Sequence, residues 1–162
     1  MHKDTVLNQS IEPKKEDWFF LYILPAFFLG MAGYSIIMLE FDSISLIMAI
    51  PFTLMAAGFH FKQKQNLRVV TLDKSGTKEN FDLCIATIKE NEWEILESDD
   101  SSEILAHTKG TWRSWGELVT ITFSEQTITI NSRPSPYKKS SVATWGKNNI
   151  NISIIKKALK CN

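Results

Sequence analysis

Two runs without a charged side chain dominate the first third of this chain. Trp18 to Leu39 holds no Asp, Glu, Lys or Arg, and Ile44 to Phe61 is a second such run. At ~1.5 Å per helical residue the first reaches about 33 Å and the second about 27 Å, close to the ~30 Å of a bilayer core. Helices buried in a soluble protein generally keep a polar stripe over such lengths. A secretory leader has an apolar region of only ~7–15 residues. The runs therefore predict two membrane-spanning helices, 18–39 and 44–61, retained in the mature protein.

Only Glu40, Phe41, Asp42 and Ser43 separate the runs, which calls for a tight antiparallel hairpin. Ala26 and Gly30 share a helix face at i, i+4, and Ala49, Thr53 and Ala57 make a matching stripe. Small side chains there are expected to let helices pack closely, on each other or on other spans. Pro51 is expected to kink the second helix. Lys3, Lys14 and Lys15 precede the first run, and Lys62, Lys64 and Arg68 follow the second, whereas the tip carries Glu40 and Asp42 and no base. The positive-inside rule then puts both termini in the cytoplasm, with the protein in the cytoplasmic (inner) membrane. Trp18, Phe19 and Tyr22, with Phe59, His60 and Phe61, suit one interface as aromatic anchors. The expected organisation is a cytoplasmic segment 1–17, a transmembrane hairpin 18–61 and a cytoplasmic domain 62–162.

After Phe61 the chain turns polar and its periodicity changes. Leu67 to Leu72 reads as a strand. Ser75-Gly76-Thr77 breaks it and supplies a helix cap, after which Phe81, Cys84, Ile85 and Ile88 recur at helical spacing, with Asn91 as the stop. "WEILES" and "EILAHT" read as strands joined at Asp99 to Ser102. "ELVTITF" and "QTITIN" alternate apolar residues with threonine around a turn at Ser124 to Gln126. The predicted class is α+β: an antiparallel sheet of about five strands, wet on one face and covered by two helices on the other.

The second of those helices follows "TWGKNN". Gly146 permits a sharp turn, Asn148 or Asn149 is suited to accept from the free N–H groups of a helix start, and Ile152, Ile155 and Leu159 supply the buried side. Trp145, just before, is either a hydrophobic staple or an exposed platform. From Val119 to Ile152, "VTITF…TITINSRPS…WGKNNINI" resembles the C-terminal signature of an uncharacterised family of bacterial domains. The likeness runs over about residues 67–160 and is carried by Ser132, Arg133, Ser135, Gly146, Asn148, Asn151 and Ile152. This chain departs from it in Pro134, Pro136, the Lys138–Lys139 pair and the hairpin. The resemblance implies the fold and carries no activity with it.

No pattern for chemistry emerges. His2, His60 and His107 are dispersed, neither Cys84 nor Cys161 stands at ligand spacing to them, and no metal or cofactor is expected. There is no GxSxG elbow, Walker loop or HExxH motif. Asp99-Asp100 in a Ser-rich turn reads as solvated. The two thiols, without a CxxC, fit a reducing compartment.

Charge is unevenly placed. Asp73 to Glu125 holds 12 acids and five bases, whereas Gln126 to Asn162 holds seven bases and no acid, within a chain of net charge zero. The basic end either meets anionic lipid headgroups or neutralises the acidic half of its own domain. Trp112, Arg113 and Trp115 in "KGTWRSWGE", with Arg133, Lys138, Lys139, Trp145 and Lys147, make up the expected partner or lipid surface. The acidic half argues against nucleic acid. Taken together, the sequence suggests a non-enzymatic, membrane-anchored module that binds membrane lipids and a protein partner. The alternative is an accessory or protective subunit acting through its hairpin; an enzyme with a dispersed site is the third reading.

Overall fold

The structure, a computed structural model, describes residues 15–38, 44–99, 101–111, 115–135 and 146–161, apart from the side chains of 15–21 and 45–46. The chain divides into two units at Gln65/Asn66.

The first unit contains α1 (Lys15–Ile37) and most of α2 (Ile44–Asn66), each 23 residues long and unbroken through Pro25 and Pro51. α2 continues past Phe61, so residues 62–66, expected at the start of the cytoplasmic domain, are its end. Tyr22 near the start of α1 meets His60 near the end of α2, as an antiparallel hairpin requires. Phe28 stacks on Phe59 with ring centroids 5.2 Å apart and lies 6.3 Å from Phe52.

The face that packs is not the one expected. Pro25, Ala32 and Ser35 are buried on α1, and Ala49 and Ala56 on α2. With Phe28, Phe52 and Phe59 these give a seam at i, i+3, i+7, i+10 on both helices, in which the Phe28 ring meets those of Phe52 and Phe59. Of the stripe predicted to pack, only Ala49 is buried; Ala26, Gly30, Thr53 and Ala57 are exposed, and nothing lies within 4 Å of where a Gly30 Cβ would be. Among the described residues no helix is long and apolar enough to cross a membrane; the charge-free run that starts at Trp18 extends into side chains outside that description.

The second unit is α+β, with β1 (Val70–Leu72), α3 (Lys78–Glu90), β2 (Glu94–Asp99), β3 (Glu103–His107), β4 (Glu117–Phe123), β5 (Ile128–Pro134) and α4 (Lys147–Ala158). The sheet is antiparallel throughout, in the order β1-β5-β4-β3-β2. Thr77 caps α3 by accepting from the Asn80 N–H at 3.3 Å, and Asn91 ends it, as the sequence implies. Cys84 and Ile88 of α3, Ile155 of α4 and its C-cap Leu159 pack with Ile104, Ala106, Val119, Ile121, Ile128 and Ile130 of the sheet, all fully buried. Both helices thus share one face.

The opposite face is wet only in part. Thr122 and Glu103 are exposed there, but Thr71, Leu118, Thr120, Asn131, Arg133 and His107 are buried. Alternation placed Thr120, Thr122 and Asn131 on this face and strand pairing adds the others, but alternation carries no information on whether another part of the chain covers that face.

Candidate functional site

Where the core face of the sheet reaches the start of α4, it changes from apolar to polar. Glu117 precedes Val119, Ile121 and Phe123 on the same face of β4, and Ser132 joins them because it pairs with Val119. Above these two, α4 presents Asn148 and Asn151 in its first turns before its apolar Ile155 and the C-cap Leu159. The helix stripe and the sheet face therefore change polarity at the same level.

The resulting network is continuous. The Glu117 carboxylate accepts from the Thr108 hydroxyl at 2.7 Å and from the Asn151 amide at 3.5 Å. Asn151 also donates to Ser132 Oγ at 3.0 Å, Ser132 donates to Asn148 Oδ1 at 3.4 Å, and Asn148 donates to Asn66 Oδ1 at 3.4 Å. Glu117 is 1% exposed, and Thr108, Ser132, Asn151 and Asn66 are also buried. A carboxylate this deep stays compatible with folding only while donors surround it. The network therefore fixes the height of α4 on the sheet: a shift by one turn would set amides on isoleucines and strip Glu117 of a donor.

This corrects the expectation for the asparagine pair. The N-cap of α4 is Gly146, at φ 81°, and no side chain caps the helix. Asn148 reaches across to β5, and Asn149 is exposed. Glycine serves here because the turn needs positive φ, and the amide of Asn148 is then free for the sheet.

On the other face, Asn131 donates its amide to the carbonyls of Asn66 at 2.9 Å and Arg68 at 2.7 Å, clamping the chain as it leaves α2. Arg133 donates to Asn131 Oδ1 at 3.2 Å and Thr120 Oγ1 at 3.4 Å. At 6% exposure it is no part of an open basic surface, which corrects its assignment to one. Its neighbour across β4 is Leu118, whose other neighbour is His107. Thr71 Oγ1 is buried there without a hydrogen-bond partner.

Of the other expected surface residues, Trp115 is 55% exposed and Lys147 is half-buried at the first position of α4. Trp112, Arg113, Lys138, Lys139 and Trp145 lie outside the described residues. Sequence reading missed Glu117 and Thr108, although the parity of "ELVTITF" already puts Glu117 on the apolar face. Among the described residues no group of His, Cys, Asp or Glu is placed to hold a metal ion. The hydroxyl protons of Thr108 and Ser132 are both engaged within the network, an arrangement suited to holding elements together. No known protein family, characterised protein or solved structure matches this chain.

Proposed function

We propose that α1 and α2 form a two-span hairpin in the cytoplasmic membrane that holds the α+β unit at the cytoplasmic face. There it acts as a binding module for a protein partner or the lipid surface. One observation carries this reading. Among the described residues, thirteen of the seventeen large apolar side chains that are exposed belong to the hairpin, from Ile23 to Phe61. The hairpin is inverted: small residues and the rings of Phe28, Phe52 and Phe59 line the seam, and Ile, Leu, Met and other Phe side chains lie outside. Burying one such side chain is worth about 1.5–3 kcal/mol, and hydrocarbon provides that burial. Each helix of 23 residues rises about 35 Å. The lysines flanking both outer ends support the cytoplasmic orientation.

A second reading rests on the exposed stripe. Ala26, Gly30, Thr53 and Ala57 face outward, where they would let a helix of another protein approach closely. On that reading the hairpin itself is the working part.

Alkaline carbonate washing of membranes, with protease treatment of intact cells and of inverted vesicles, tests the placement. The protein should resist washing and lose its C-terminal unit only in inverted vesicles; release by carbonate, or digestion from outside, refutes the reading. Gly30→Leu with Thr53→Leu separates the two forms: loss of a co-purifying membrane partner favours the hairpin, and retention favours the domain.

A further inference from the structure

β2 is the last strand of the sheet, with β3 on one side and no strand on the other among the described residues. All its side chains except Ile95 are exposed. Its pairing with β3 slips between Ile95 and Glu97, so that Leu96 is an extra residue: Glu94 faces His107, Glu97 faces Leu105 and Asp99 faces Glu103. Ile104 and Ala106 of β3 belong to the core face, so His107, Leu105 and Glu103 lie on the other. Glu94, Glu97 and Asp99 therefore all stand on the face away from α3 and α4, with Glu103 beside them. Strict alternation would have set Glu94 and Glu97 on opposite faces. The bulge gathers the acids into one row along an open edge.

Edge strands are commonly guarded by charge and bulges against adding another strand. Here the charged side chains that β2 itself contributes are all acidic. A second copy of β2 would bring acid against acid, which is destabilising between directly opposed residues, whereas a strand carrying lysine or arginine at alternate positions would meet the row with opposite charge. We propose that the open edge of β2 takes up an extended basic peptide segment of a partner protein as a sixth strand. Main-chain hydrogen bonds would give affinity, and Glu94, Glu97 and Asp99 would select for basic side chains on that face. Asp99 accepts from Ser102 Oγ at 3.0 Å, which holds its carboxylate at the rim. The inference does not depend on where the hairpin resides.

The test uses the full chain in neutral-lipid nanodiscs and a fluorescent peptide alternating Lys and Thr over about ten residues, a length typical of long strands. Anisotropy should report binding, and hydrogen exchange should slow at residues 94–99. The same peptide N-methylated at its threonines should bind at least about tenfold more weakly, because it cannot complete the ladder. Combined Glu94→Gln, Glu97→Gln and Asp99→Asn should weaken the parent peptide to a similar degree. Equal binding of the N-methylated peptide, equal binding of a Glu-Thr peptide, protection away from β2, or absence of binding each overturns the proposal. The N-methylated comparison needs no change to the protein, so it decides even if the triple variant fails to fold.

Discussion

Thr108 and Glu117 hold each other by three hydrogen bonds. The Thr108 hydroxyl donates to the carboxylate at 2.7 Å and accepts from the Glu117 N–H at 2.8 Å, while the Thr108 N–H donates to the Glu117 carbonyl at 2.9 Å. The pair closes the loop that carries Trp115 and passes the carboxylate inward to Asn151. Glu117→Ala leaves the Thr108 hydroxyl short of its acceptor and weakens the hold on Asn151, and should cost about 2–4 kcal/mol. Thr108→Val should cost about 1–3 kcal/mol. Urea unfolding followed by tryptophan fluorescence measures both. The double variant should lose less than the sum; strict additivity would show that the two do not act together.

Gly116 stands at φ 106°, and a Cβ there would meet His107 Cε1 at 2.5 Å and the Thr108 carbonyl at 2.7 Å. Gly116→Ala must both strain the backbone and displace a buried ring, at a cost of about 2 kcal/mol or more. By contrast Gly30→Ala, with nothing within 4 Å, should leave the hairpin unchanged or slightly firmer. Thermal melts of the two variants should separate clearly.

Cys84 is fully buried, and burial pushes its thiol up to about 12, offset slightly by Lys74. The folded state therefore favours the neutral thiol. Its contribution to stability is complete below the ordinary thiol value of 9.0 and falls as pH rises from there towards 12. At pH 8 an alkylating reagent should modify Cys161, which is half-buried, and spare Cys84 until the chain unfolds. Labelling of Cys84 at the rate of Cys161 in the native protein would refute its burial.

The hairpin seam makes a contrast that the sequence alone would have placed elsewhere. Ala32→Leu or Ala56→Leu forces a large side chain between packed helices and should destabilise the pair by about 1–3 kcal/mol. Gly30→Leu and Ala57→Leu, on exposed positions, should leave the pair intact. Thermal stability of the purified protein in mild detergent reads the difference; equal loss at both sets would place the seam wrongly.

Much of the domain was legible because its signals are local. Thr77 caps α3, Asn91 ends it, and alternation in "ELVTITF" and "QTITIN" assigned Val119, Ile121, Ile128 and Ile130 to one face. Asn148 was misread because a cap and a cross-link use the same amide, and local sequence cannot tell which N–H or oxygen it meets. Arg133 was misread as surface because its partners, Thr120 and Asn131, reach it only through strand pairing.

Sequence by itself determined the elements: two long helices near the start, the apolar face of β4 and β5, and the stripe of α4, all consequences of periods of 3.6 and 2 acting over a few residues. Tertiary structure alone decided which helix face forms the hairpin seam, that β2 carries a bulge gathering its acids, and that Glu117 lies beneath Asn151. Those outcomes follow from space filling and from pairing every buried polar group. Both conditions join residues far apart in the chain, and no local pattern encodes them.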